Sequence, residues 1–254
     1  MVITQIKNAT VKITYGGVTF LIDPLLGPKG TMSPYLFSVR QDCRNPLFDL
    51  PFSAQEVLDG VDAVIFTHLH SDHVDKGAYK LIPKDIKVFT QNKNNKWRIK
   101  RKGFTNVEVL SDLTTFKGVS LTKIPGQHGQ FPYYYLAGNT CGIVFRSPKE
   151  QTLYLAGDTI WYSGVEKTIE TYKPKVIIVN GGGNKLIFGG LLIMGTDDIK
   201  KVHDAAPNSI IISTHMEGVN HWSVSRNELA DFAKAHKFAN KLRIPLDGEV
   251  IADL

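Results

Sequence analysis

The chain has 254 residues, 43% hydrophobic and 21% charged, with 12 prolines and 22 glycines, which excludes a disordered or fibrous protein and predicts one large domain over residues 1–254. Its net charge of +6 is scattered rather than concentrated; the densest run, Lys93 to Lys102, reads as a helix with a solvated face, which disfavours nucleic acid as a partner. No apolar stretch nears the ~20 residues that span a bilayer, no signal peptide is apparent, and Cys43 and Cys141 lack ligand spacing, so a reduced, cytoplasmic protein with no membrane partner is expected.

Alternating apolar and β-branched residues predict strands over 2–6, 10–15 and 18–22, with Gly16-Gly17 turning a hairpin between the last two. Residues 27–49 are too long for a turn and form a candidate substrate-side loop carrying Arg40 and Arg44. The continuous apolar run 63–67 predicts a buried strand. Beyond it the pattern predicts a strand over 88–90, a helix over 93–102, strands over 107–110, 119–124, 141–145 and 152–156, and a helix over 159–172. Strands over 176–179 and 210–213 flank a helix over 197–205, and a last helix over 225–237 precedes a closing strand at 249–251. Strands dominate early and alternate with helices late, which predicts an α/β fold of two packed sheets with helices outside. No repeat of 20 to 50 residues is visible, although a diverged duplication would be hard to detect.

The buried strand at 63–67 delivers Thr67-His68-Leu69-His70-Ser71-Asp72-His73. Two residues apart at a strand end, His68 and His70 leave on one face and can converge on one cation. Asp72 and His73 follow where the chain turns, and imidazole with carboxylate suits zinc and its first-row neighbours. Other predicted strands end the same way. His128 follows one in Pro125-Gly126-Gln127-His128-Gly129, Asp158 ends Leu153-Tyr154-Leu155-Ala156-Gly157-Asp158, and His215 follows the run 210–214. Singly each has a bland reading, Asp158 as a helix cap and the histidines as loop residues. Together with the first cluster they make a metal site.

These residues resemble the metallo-β-lactamase superfamily over essentially the whole chain. The H-x-H-x-D-H run, the opening Asn8-Ala9-Thr10-Val11-Lys12-Ile13, the segment Thr19-Phe20-Leu21-Ile22-Asp23-Pro24, Gly157-Asp158-Thr159 and Thr214-His215 look like the branch that holds ascorbate-6-phosphate lactonase. The resemblance implies an αββα sandwich, two mixed sheets packed face to face with helices on the outer faces. It also implies that His68, His70 and His128 hold one metal, that Asp72, His73 and His215 hold a second, and that Asp158 bridges them. Relatives often carry Gly-His where this chain has Lys7-Asn8, so that histidine's role has no counterpart here.

Two divalent ions are therefore the expected cofactors, zinc first, with manganese, iron or nickel as alternatives. Metal-bound hydroxide is the expected nucleophile, with Asp72 steering its proton. A small, anionic ester, lactone or phosphoester is the expected substrate, because two ions outweigh the carboxylates around them. His221, six residues past His215, is a candidate catalytic proton donor or substrate contact. Glu217 is a candidate to orient an imidazole, the aromatic run 131–135 a candidate wall, and Gly181 to Asn184 a tight turn with backbone donors near the site. His203 and His236 read as structural or exposed. Alternatives are a metal-dependent ligand-binding or sensor protein without turnover, and a nuclease or phosphodiesterase. A homo-oligomer is open, as in the lactonase that the chain resembles.

Overall fold

The computed structural model describes residues 1–131, 134–252 and 254. Strand periodicity builds its first sheet. Strands β1 (Val2–Lys7), β2 (Thr10–Tyr15) and β3 (Val18–Ile22) form an antiparallel meander. In β2, buried Val11, Ile13 and Tyr15 alternate with half-buried Lys12 and Thr14, so one face is committed to the interior. The Gly16-Gly17 turn has φ of 59° and 82°, the left-handed backbone that a tight hairpin requires. The chain continues through α1 (Ala54–Leu58), β4 (Ala63–Phe66), α2 (Lys76–Leu81), β5 (Lys87–Thr90), α3 (Lys93–Lys100) and β6 (Val107–Val109), adding β4, β5 and β6 in parallel to β3.

The second half follows the same plan. Strands β7 (Thr114–Phe116) and β8 (Val119–Gly126), helix α4 (Tyr134–Ala137), and strands β9 (Thr140–Ser147) and β10 (Glu150–Leu155) make an antiparallel run. Then α5 (Ser163–Tyr172), β11 (Val176–Asn180), α6 (Thr196–Ala205), β12 (Ile210–Thr214), α7 (Arg226–Ala235) and β13 (Leu242–Arg243) extend it in parallel, and β14 (Val250–Ile251) returns to pair with β1. The two seven-stranded sheets have the orders β14-β1-β2-β3-β4-β5-β6 and β13-β12-β11-β10-β9-β8-β7. Each joins three antiparallel strands to three parallel ones, β1 to β3 with β4 to β6, and β8 to β10 with β11 to β13. The duplicated layout lies in strand pairing, where no residue repeat records it.

Three apolar layers hold this together. Between the sheets, Ile13, Phe20, Ile65 and Phe89 meet Leu121, Ile143, Phe145 and Ile178. Outside the first sheet, Val57, Ala78, Ile82 and Ile99 cover Val64, Phe66 and Val88. Outside the second, Val165, Ile169, Ile199, Val202 and Leu229 cover Tyr154, Ile177 and Val179. The αββα sandwich is thus present. Tyr15 also ties the sheets, its hydroxyl 3.0 Å from the Phe145 carbonyl and 2.9 Å from that of Gln151.

Several boundaries differ from the sequence reading, α5 and α3 among them. The helix predicted from 159 starts at Ser163, because the preceding groups bond elsewhere: the Ile160 amide donates to the Gln127 carbonyl and the Trp161 amide to Asp198. α3 ends at Lys100, where Arg101 caps it. Elements α1, α2, α4, β7 and β13 were not predicted; at two to six residues they are too short for a periodic signal, although the Ser53/Glu56 capping box of α1 is legible. Among the described residues, no helix is long and apolar enough to cross a membrane.

Candidate metal centre

The first cluster is fixed by Asp23, which follows β3. One Asp23 carboxylate oxygen accepts the Thr67 amide at 2.7 Å, and the other accepts the Thr67 hydroxyl at 2.6 Å and lies 2.8 Å from His73 Nδ1. Both ends of the motif thus hang on one buried carboxylate. Between them the His73 and Val74 amides both donate to the His70 carbonyl at 3.0 Å, closing the turn, and the rings of His68 and His70 lie 4.4 Å apart.

The second sheet contributes one residue per strand exit: His128 beyond β8, Asp158 beyond β10 and His215 beyond β12. Gly157 has φ of 68°, and a Cβ there would lie 2.6 Å from the Cys141 carbonyl, so only glycine turns the chain to present Asp158. His215 is itself left-handed, φ 55°, as is Asp23, φ 43°. Such backbone costs on the order of 1–3 kcal/mol outside glycine and persists where surrounding contacts enforce it; here the His215 amide donates to the Asn8 carbonyl at 2.9 Å. The glycines from Gly181 serve this exit. A Cβ on Gly182 would lie 2.2 Å from the His215 carbonyl, while the amides of Gly181 and Gly183 donate to Thr214 and Met194. They are not free to bind an anion.

The donor atoms of His68, His70 and His128 lie within 4.8 Å of one another, as do those of Asp72, His73 and His215. Asp158 stands between the two groups. Its Oδ2 is 3.1 Å from His73 Nε2, 3.7 Å from His68 Nε2 and 3.6 Å from His128 Nε2, and its Oδ1 is 4.0 Å from His215 Nε2. Four imidazoles point Nε2 inward and have Nδ1 beside an outer partner: Thr67 Oγ1 for His68, Asp23 for His73, the Leu192 carbonyl for His128 and the Asn184 amide for His215. The oxygen partners of His68, His73 and His128 can accept the Nδ1 proton, which fixes the tautomer and leaves the inner lone pair for a metal. His68 Nε2 is buried with no hydrogen-bond partner, and His215 Nε2 faces His73 Nε2 at 3.1 Å, an arrangement a shared cation relieves. The residues fit divalent first-row ions.

The electrostatics agree. Burial holds His68 and His70 below the ordinary imidazole value, keeping their lone pairs free. Against the cost of burial, His73 and His215 hold Asp158 and Asp72 well below the carboxylate range. Burial likewise opposes a charge on His73, but Asp158 and Asp23 raise it well above the ordinary value. A cluster with these shifts favours a positive charge at its centre.

A cavity of about 390 Å³ opens onto this cluster, lined by His70, Asp72, His128, Asp158 and His221, with Tyr35, Leu69, Ala137, Leu186 and Leu192 as walls. His221 is buried and lies edge-on to Tyr35 with ring centroids 4.6 Å apart; burial lowers its pKa to about 4, so the ring is neutral near pH 7. Other candidates fall elsewhere. Glu217 pairs with Arg226 and accepts its amide at 3.1 Å, capping α7 rather than orienting an imidazole. Arg40 lies over the Trp222 ring at 3.5 Å, Arg44 donates to the Gly30 carbonyl, and neither lines the cavity. Of the aromatic run, Phe131 and Tyr135 are exposed, and residues 132 and 133 lie outside the described residues. His203 stacks on Phe238, and His236 is exposed. Sequence reasoning missed Tyr35, which donates to Asp72, and Asn180, which donates to Asp158; it also gave Asp23 no role. Asp23 and Asn180 could have been found by the strand-end rule that located Asp158. At Lys7-Asn8, where relatives often carry Gly-His, the buried Lys7 ammonium donates to the Gly27 carbonyl at 2.8 Å and the Asn8 side-chain amide to the Asp72 carbonyl at 3.0 Å.

A cluster of histidines and carboxylates at one edge of an αββα sandwich defines a metallo-hydrolase, and the relatives are of that class. The beta-lactamase superfamily domain matches residues 19–216. The UPF0173 protein YddR of Bacillus subtilis (strain 168) is 50% identical over 250 residues, 98% of each chain. A possible metal-dependent hydrolase from Veillonella parvula DSM 2008 superposes with a TM-score of 0.96 at 39% identity, covering 99% of this chain and 98% of that one. The isothiocyanate hydrolase from Delia radicum gut bacteria does so with a TM-score of 0.95 at 38% identity, over 99% of both chains. The chain belongs to the metallo-β-lactamase superfamily, within the UPF0173 metal-dependent hydrolases.

Proposed function

We propose that the chain holds two divalent ions, one on His68, His70 and His128 and one on Asp72, His73 and His215, with Asp158 shared, and hydrolyses a small, uncharged electrophile of the isothiocyanate type. The observation that carries the substrate class is the cavity wall: Leu69, Ala137, Leu186, Leu192 and Tyr35 surround the approach, and among the described residues no lysine or arginine lines it. An anionic lactone or phosphoester, the class expected from the charge of the ions alone, finds no side-chain cation in this wall. An alkyl or aryl group finds apolar surface, at roughly 25 cal/mol per Å² buried. The similarity to an isothiocyanate hydrolase along the whole chain points the same way.

Bound divalent ions supply Lewis acidity that brings the pKa of water towards ~7. In the reaction R–N=C=S + H2O, the water oxygen bonds to the central carbon and the protons end on nitrogen and sulfur. The thiocarbamic acid so formed divides into the amine R–NH2 and carbonyl sulfide. Asp72, held ionised, steers the proton of the attacking water. His221 borders the same cavity as a neutral ring with Nδ1 unpartnered and donates a hydrogen bond to the reacting nitrogen. The leucines exclude bulk water and orient R. Both cysteines are free and Cys141 is buried, which supports a reducing, cytoplasmic setting.

The test is amine release from small alkyl and aryl isothiocyanates by metal-loaded protein, beside phosphorylated lactones and phosphodiesters. Turnover of the uncharged series, abolished by chelator and restored by zinc or manganese, is expected. Turnover confined to anionic substrates would reject this substrate class.

A further inference from the structure

The loop from 27 to 49 reaches the metal centre through one residue, Tyr35, and is held there by another, Asn220. Asn220 is fully buried between His215 and His221. Its Oδ1 accepts the Tyr35 amide and the Asn45 side-chain amide, both at 2.9 Å; its Nδ2 donates to the carbonyls of Tyr35 at 3.3 Å and Arg40 at 3.1 Å and to Ser38 Oγ. Its backbone amide donates to Asn45 Oδ1 at 2.7 Å. One asparagine thereby clamps the loop onto the segment that carries His215, and a fully satisfied buried network of this kind rigidifies what it joins.

What the clamp positions is a hydroxyl. Tyr35 Oη lies 2.8 Å from Asp72 Oδ1 and 2.7 Å from Ser71 Oγ. A phenol has one proton to give, and the ionised carboxylate takes it, so Ser71 donates to Tyr35 and Tyr35 to Asp72. The other oxygen, Asp72 Oδ2, faces His215 Nε2 at 3.4 Å. We infer that Tyr35 is a positioning residue: by occupying Oδ1 it makes Asp72 a one-oxygen ligand whose Oδ2 is aimed at the second ion, and Asn220 sets Tyr35 in that place. The inference rests on the two-ion reading above.

Tyr35→Phe removes the hydroxyl and keeps the ring that packs on His221. Metal-free wild type and variant are titrated with zinc against a chromophoric chelator, so that affinity is read without activity. The second ion is expected to bind about 10- to 100-fold more weakly in Tyr35→Phe, the range for losing an outer partner of a ligand, with the first ion and the melting temperature of the metal-free protein unchanged. Asn220→Ala is expected to weaken the same ion. Wild type and Tyr35→Phe binding two ions with equal affinities would overturn the role of Tyr35 while leaving two metals standing. A wild type that takes one ion overturns both. Equal weakening of both ions in Tyr35→Phe would show a general structural defect and also overturn the assignment.

Discussion

The two donor groups differ in charge and in how they are held. His68, His70 and His128 are three imidazoles; His70 is only partly buried, and both His70 and His128 border the cavity. Asp72, His73 and His215 include a carboxylate, are all buried, and are backed by Asp23, Tyr35 and Asn184. The first group is open and neutral, suited to meeting a substrate. The second carries a carboxylate and is buried throughout, with Asp72 alone reaching the cavity, suited to retaining its ion and biasing the proton chemistry. In the two-ion centre proposed above, burial and charge, rather than ligand type alone, would divide the work of the pair.

Asp158 belongs to both groups, so replacing it should erase the contrast. Asp158→Ala is expected to lower kcat/KM by at least about 10³-fold, a loss of charge stabilisation at the reacting centre, and to release metal from both groups. Retention of a tenth of wild-type activity would break the comparison.

The next effect is on pH. Burial depresses His221 to about 4 in the folded chain from roughly 6.5 unfolded. The unfolded state then binds more protons between those values, so this group's stabilisation is complete above pH 6.5 and is lost as pH falls towards 4, by about 3 kcal/mol. In metal-free protein, His221→Asn should flatten that acid limb of a denaturant-midpoint series. An unchanged slope would contradict the buried, neutral ring.

Asp23 distinguishes the groups, since it lies 2.8 Å from the His73 ring nitrogen and is linked to His68 by hydrogen bonds through Thr67. Asp23→Asn is expected to weaken the second ion by about 10- to 100-fold and the first by less, read by chelator competition. The smallest effect lies in the wall. Leu186→Ala removes roughly 1–1.5 kcal/mol of apolar contact, which should raise KM for an aryl isothiocyanate by about 10-fold and leave kcat nearly unchanged. A fall in kcat alone would move Leu186 from binding to chemistry.

Much of this centre was legible because strand ends are. A buried apolar run that stops on His, Asp or Asn announces a side chain at the sheet edge, which is how His68, Asp158 and His215 stood out. The helices over 197–205 and 225–237 were legible from their own periodicity and the Ser225 cap. Tyr35 and Asn220 were hidden for the opposite reason: they lie in loops with no period, and their value comes from partners 37 and 185 positions away. Glu217 misled because proximity to His215 in sequence says nothing of direction; its left-handed backbone, φ 59°, accompanies a side chain committed to Arg226.

The central claim is that each group takes one ion. Metal content per chain, measured by elemental analysis on zinc-loaded wild type, His68→Ala and His215→Ala, tests it most directly. Two ions in the wild type and one in each variant are predicted. A single ion in the wild type, or loss of both ions in either variant, would contradict two separately held metals.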